Sequence, residues 1–417
     1  MVYANDFKGK TDSEIINAAI KGRGKDGIVV ISPRELPGRD FWLLDEAIAL
    51  PENVTVILRN VKIKLSDECR DNFFRTANCG LGIADPTPIR NVHVKGEGLC
   101  LLEGADHPRA TGDSGKLLHA PCPHYAEDVC RLADWIPDER RTPDTLKFSD
   151  IHDHSYGTDA NKEGESHYGD WRGIGVLFAN VTDFSISGLR IKDSHGWGIS
   201  LEACSNGRIE KIDFDARMHK EIDRIESNME NQDGIDLRNG CHHIVISDIT
   251  GCTGDDVVAL TAIANPEYKP GGSLRTTHVM HNDWSRRETD IHDIIIRNIC
   301  AESYLCCLVR LLPVWAKIYN VVIDGVIGTS AATQGYTAIL LGEGGYGEML
   351  PDSMKNVTVS NVICNSELAV DINGYLTDSV ISSVINKNPD CRAVRAKRPE
   401  RLKNVTVADT VISSVKE

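Results

Sequence analysis

The chain has 417 residues, of which 41% are hydrophobic and only 6% aromatic, with a formal charge of −15. That is enough apolar material for more than one compact core, so either two domains or one repeat array is expected. The negative balance disfavours nucleic acid, which requires a basic face, and long polyanionic polysaccharides, so no nucleic-acid partner is expected. No run approaches the roughly 18 apolar residues of a membrane span. The polar stretch Met1 to Lys10 has no signal-peptide core, so a cytoplasmic protein without membrane contact is expected. Thirteen cysteines, an odd number without an even framework, read as reduced interior residues.

In chain order the first element is a helix. Thr11-Asp12-Ser13-Glu14 has the form of a capping box, and Ile15, Ile16, Ala19 and Ile20 make one apolar stripe. It reads as a plug on the open end of a solenoid, whose edge strands would otherwise invite aggregation. The cap is expected over about residues 1–25.

After it a short motif recurs, a polar residue followed by three residues rich in Val and Ile. It opens at Asn53, Asn91, Asp183, His243, Asp293, Asn320, Asn356, Asp378 and Asn404. The tighter copies, Asn356 to Asp378, Asp378 to Asn404 and Asp293 to Asn320, are 22, 26 and 27 residues apart, a solenoid period. Each copy alternates apolar and polar positions, and a second short strand follows, as in Val357-Thr358-Val359 and then Asn361-Val362-Ile363. No helical crossover stands between them, which excludes a doubly wound sheet and leaves an antiparallel sandwich as the lesser alternative. The expected fold is all-β, a right-handed parallel β-helix forming one domain over 1–417. Long inserts from about Gly104 to Gly169 and Ala264 to Asp290 should wall a groove on one face. A walled groove would favour short ligands or chain ends over the middle of a polymer.

The densest chemistry is Asn231-Gln232-Asp233-Gly234-Ile235-Asp236, followed by Gly254-Asp255-Asp256. Asp233 and Asp255 are 22 residues apart, one turn of the repeat, so they should stack on neighbouring rungs about 4.8 Å apart. The bland alternative is that Asp beside Gly simply turns a corner. Crowded carboxylates suit glycoside hydrolysis, in which one holds a proton for the leaving oxygen while others activate water.

At these residues the chain resembles glycoside hydrolase family 28, the polygalacturonase family, from roughly Asp170 to Asn365. The family's Asn-Thr-Asp and Gly-Asp-Asp are matched by Asn231-Gln232-Asp233 and Gly254-Asp255-Asp256. The resemblance implies Asp255 as general acid, and Asp233 and Asp256 as activators of water in an inverting displacement. It further implies a substrate-binding role for Asn231, Asp236, His195 and Trp197, the last two lying in Ser194-His195-Gly196-Trp197. The family's Gly-His-Gly has no counterpart in Tyr304-Leu305-Cys306-Cys307, so His278 or His281 from the second insert would have to replace it. Its Arg-Ile-Lys is matched in part by Arg310-Leu311-Leu312, or by rung count by Ile339-Leu340-Leu341, which keeps neither charge.

No cofactor or metal is expected. His119, Cys122, His124 and Cys130 fit no zinc pattern; His152 and His154 read as loop residues, Trp171 and Arg172 as a loop anchor or sugar platform, and Arg275, Arg286 and Arg287 as solubilising or anion-binding. The competing functions are a Ca²⁺-dependent polysaccharide lyase with Arg310 as base, a fructotransferase, and a noncatalytic carbohydrate-binding β-helix. All take an oligosaccharide as partner; the oligomeric state is left open.

Overall fold

The computed structural model describes residues 1–67, 69, 71–80, 83, 85–106, 171–217, 219–222, 225–228, 232–264, 279–280, 287–330, 337–342 and 347–412. Short parallel strands dominate, and both parts of the chain are built as parallel β-helix. One compact unit comprises Met1–Ser200, Asp215–Gln232 and Lys269–His281; the other comprises Leu201–Phe214, Asp233–Tyr268 and Asn282–Glu417. Most of both predicted inserts, including His119, Cys122, His124, Cys130, His152, His154, Arg275, His278, His281 and Arg286, falls outside the described residues, as does Asn231.

In the first unit, helix Asp12–Lys21 begins at Thr11, whose hydroxyl accepts the Glu14 amide at 3.2 Å. The Glu14 carboxylate returns to the Lys10 amide at 2.7 Å, one residue earlier than a strict capping box would have it. Its apolar stripe is buried as expected, and its polar residues pair with the backbone of the first coil. Asp12 accepts from Leu43 N–H, Ser13 from Asp45 N–H and Asn17 from Ala49 N–H. The helix thereby satisfies edge groups that the stack leaves open. Above it the ladder runs in register through Val29, Val56, Val94 and Ile186, all fully buried.

The second unit repeats the plan more regularly. Ile246, Ile296, Ile323, Val359 and Ile381 are successive ladder partners, as are Ile249, Ile299, Val326, Val362 and Val384. Every one is at most 1% exposed. Burying such a side chain stabilises by about 1.5–3 kcal/mol, so the columns dominate the folding energy.

The polar residue that opens each motif has a backbone reason. At all nine copies it takes the left-handed conformation, with φ from 48° at Asp378 to 62° at Asp183. Asn and Asp tolerate this turn better than other non-glycine residues. Their side chains also link one coil to the next: Asn91 donates to Asn53, Asn320 to Asp293, Asn356 to Asn320 and Asn404 to Asp378, at 2.8–3.1 Å. A second left-handed corner, at Asp248, Asn298, Gly325, Asn361 and Ser383, bends each long strand in its middle.

The described cysteines are all free and mostly buried. Among the described residues no helix is long and apolar enough to cross a membrane. One element escaped sequence reading, the antiparallel hairpin of His219–Ile222 with Ile225–Asn228. It belongs to the first unit, where Lys220 donates to the Ala105 carbonyl at 2.6 Å.

Candidate active site

The carboxylates converge in the second unit, where two consecutive coils turn the same corner. Ile235 pairs with Val258, a step of 23 residues, and the Gly234 amide donates to the Asp256 carbonyl. This register sets Asp233 opposite Asp256, not opposite Asp255 as the 22-residue spacing suggested. The coils touch so closely at Gly234 that a Cβ there would meet the Val257 carbonyl oxygen at 2.4 Å. Only glycine fits, which accounts for the Asp-Gly pair without invoking φ. The next turn is braced from the following coil: Ser303 donates to the Asp255 carbonyl at 2.9 Å, and Thr253 donates to the same oxygen at 2.6 Å.

One oxygen each from Asp233, Asp255 and Asp256 lies within 4.8 Å of the other two. Asp256 is 1% exposed; its Oδ2 meets Arg310 Nη1 at 3.0 Å and its Oδ1 accepts the Cys307 amide at 3.0 Å. Asp255 is half-buried, and its Oδ1 accepts the Asp256 amide at 2.9 Å. Asp233 is 6% exposed and Asp236 1%, and each has a buried carboxylate oxygen without a hydrogen-bond partner among the described residues. Burial, then the charges of Asp236, Asp255 and Asp256, push Asp233 well above the ordinary carboxylate range. Burial pushes Asp236 up likewise, against the opposing pull of the Arg238 guanidinium. In the free protein the pressure to hold a proton therefore falls on Asp233 and Asp236; the expectation had placed it on Asp255.

The residues lacking a family counterpart lie beside this patch. Val258 pairs with Val309 and the Val257 amide donates to the Cys307 carbonyl, so Cys306 and Cys307 follow Asp255 and Asp256 by one coil. Their sulfurs are 3.8 Å apart, and the bond to Cys307, together with burial, raises the Cys306 thiol well above its ordinary range. Cys306 is thus a neutral thiol and a poor nucleophile. Arg310 pairs with Ala259 on one side and Leu340 on the other. Its charge is committed to Asp256, and this 54-residue partnership has no local sequence signal. A guanidinium at that position also opposes the cation that a calcium-dependent lyase would place on these carboxylates.

The other nominated residues are described each in its own surroundings. His195 and Trp197 are in the first unit, both 3% exposed, and the His195 Nε2 accepts the Ala105 amide at 2.9 Å. Trp171 is a buried anchor whose carbonyl accepts from Asn72 at 2.9 Å. Arg287 is ion-paired with the buried Glu202 at 2.8 Å. A role for either as a sugar platform or free anion site finds no geometry here.

Residues 162–271, the stretch holding the carboxylate corner, match the family model of glycosyl hydrolases family 28. No curated protein matches significantly in sequence. Among solved structures the chain resembles the family 28 exopolygalacturonase of Yersinia enterocolitica, at 11% identity and TM-score 0.51 over 98% of this chain and 78% of that one. It also resembles PfbA, a surface adhesin of Streptococcus pneumoniae, at 10% identity and TM-score 0.55, covering 99% and 89%. A third likeness is to the tailspike protein of E. coli bacteriophage HK620, at 12% identity and TM-score 0.52, covering 99% and 67%. These structures share the parallel β-helix fold. Over residues 162–271 the chain is similar to family 28, and that match supports a glycoside hydrolase.

Proposed function

We propose that the protein hydrolyses a glycosidic bond in an oligosaccharide, with Asp233, Asp255 and Asp256 as its catalytic carboxylates. The observation that carries this is the gathering of three carboxylates within 4.8 Å, one of them pushed far above its ordinary range, inside the segment matched by the family. Asp233, which is pushed toward its protonated form in the free protein, must release that proton before it can act as a base; the acid role of Asp255 rests on the resemblance and on its accessibility, not on its proton affinity. Asp255, the most accessible of the three, is the general acid. Asp233 and Asp256 activate water, Arg310 and the Cys307 amide fixing Asp256 in place. Asp236 is proposed to contact the sugar, and Asn231, outside the described residues, is proposed with it on the resemblance alone. His278 or His281 from the second insert, both outside the described residues, would have to stand in for the family histidine. Because Arg310 is engaged, the clamp for an acid sugar is not supplied by that residue.

Inversion follows from the resemblance, although the nearest oxygens are closer than the roughly 6.5–9.5 Å usual between carboxyl groups of inverting enzymes. The test is a panel of neutral and uronic oligosaccharides with NMR of fresh product. Hydrolysis with inverted configuration is expected, and Asp255→Asn should lower turnover by about 10² to 10⁴, much less on activated aryl glycosides. Retained configuration would overturn the assigned roles, and unsaturated product would overturn hydrolysis itself.

A noncatalytic carbohydrate-binding protein is the second reading, favoured by Cys306-Cys307 standing where the family has histidine. Saturable sugar binding without turnover across the panel would establish it.

A further inference from the structure

A different corner of the second unit carries ligand chemistry that glycoside hydrolysis does not use. The motif there opens on His243, at a left-handed position (φ 55°) where five other copies place Asn. In the next coil Asp293 takes the matching corner (φ 56°), and His242 pairs in register with His292. His243, His292 and Asp293 each offer one ligand atom, all within 4.8 Å of one another. His292 Nδ1 is 2.7 Å and His243 Nε2 3.5 Å from Asp293 Oδ2. A tetrahedral zinc with ligands at about 2.0–2.1 Å separates them by about 3.3 Å, so small side-chain rotations complete the site.

We infer that this corner binds one first-row transition dication, zinc above all, through His243 Nε2, His292 Nδ1 and Asp293 Oδ2. Two imidazoles and a carboxylate are a zinc-type donor set. The surroundings already orient each ligand. The His292 ring is stacked between His242 at 4.9 Å and Tyr319 at 4.8 Å, nearly parallel to both, which fixes its plane. His242 Nδ1 lies 2.8 Å from His243 Nδ1, so a proton on the latter donates to His242 and turns the Nε2 lone pair toward Asp293. Asn320 donates to Asp293 Oδ1 at 2.8 Å and leaves Oδ2 for the metal. Glu288 and Asp290 add negative charge around the cluster. His243 is exposed, so the fourth coordination position is open to water. The bound ion would join two coils at a corner where the Asn ladder is interrupted.

The test uses the full-length protein and metal alone: calorimetric titration with Zn²⁺ and visible absorption of added Co²⁺, on the wild type, His243→Asn and Asp255→Asn. Asn is the residue other coils carry at this corner, so His243→Asn keeps the fold, which circular dichroism verifies. The wild type and Asp255→Asn should bind one more equivalent of Zn²⁺ than His243→Asn, or bind it at least about tenfold more tightly. Only those two should give the cobalt spectrum of a four-coordinate nitrogen and oxygen site. Equal Zn²⁺ binding in the wild type and His243→Asn, or no saturable binding in either, would overturn the inference.

Discussion

Two stretches of the second unit have the same coil plan and opposite polar economies. In the coil from Asn356 to Asn386 most buried polar groups answer one another, the Asn373 amide oxygen being an exception. Ser330 and Ser366 hydroxyls meet at 2.6 Å, Ser379 donates to the Thr377 carbonyl while accepting from Val357, and Asn386 donates to the Ser366 and Arg392 carbonyls. In the coil from Asp233 to Asp256 the columns of Val and Ile are equally well buried, yet Asp233 and Asp236 each hide an oxygen without a partner. Two bare carboxylate oxygens in one coil cost more than the single bare amide oxygen of the other, because burial penalises an ionisable group more than a neutral one. The bare oxygens mark where an external group, a sugar hydroxyl or water, completes the set.

The largest effect should come from removing the ion-pair partner of Asp256. Arg310 faces the buried Asp256 at 3.0 Å, so Arg310→Leu leaves an uncompensated buried charge. Urea unfolding should show a loss of about 3–5 kcal/mol, and adding Asp256→Asn should restore much of it. The control is the more exposed Arg395, bidentate to Asp371 at 2.9 and 2.7 Å in a plain coil. Arg395→Leu should cost clearly less. Equal losses at the two sites would erase the distinction between the coils.

The same distinction explains what could be read in advance. The corner residues, the Val and Ile columns and the helix at Asp12–Lys21 follow local rules of period, left-handed turns and capping, so the sequence announced them. The carboxylate cluster was also legible, because Asp-Gly and Gly-Asp-Asp recur near the repeat length. Which carboxylates face each other was not, because the coil there is 23 residues long, and one residue decides the partner. Arg310 and Cys307 reach Asp256 across 54 and 51 residues, a closure that only the register of Val258 with Val309 fixes. His195 and Trp197 sit in a family-like motif, but packing turned both inward.

An intermediate effect should appear as a pH dependence. Folded Asp236 keeps its proton to higher pH than in the unfolded chain, because burial disfavours its charge. Between the unfolded value near about 3.9 and the raised folded value, the folded protein binds more protons, so stability falls as pH rises across that interval. Below it both states are protonated and the cost vanishes. Asp236→Asn should therefore stabilise the protein at pH 8 by on the order of 1–3 kcal/mol and have little effect at pH 3.5. A gain of the same size at both pH values would mean that charge burial is not the cost.

The smallest effect tests the plain coil, where the corner rather than the charge carries the constraint. Asn356 holds φ at 53° and donates to Asn320 at 2.9 Å. Asn356→Ala puts a Cβ with no compensating hydrogen bond into the left-handed region, at a cost of about 1–2 kcal/mol. Asn356→Gly removes the same hydrogen bond and relieves the backbone, so its cost should be smaller than that of Ala, though not zero, since glycine adds freedom to the unfolded chain. The ordering Asn above Gly above Ala in unfolding midpoint separates the two contributions. If Ala equalled Gly, the ladder bond alone would account for the recurring polar residue; if Gly exceeded Asn, the bond would contribute nothing, and the motif would be a backbone requirement only.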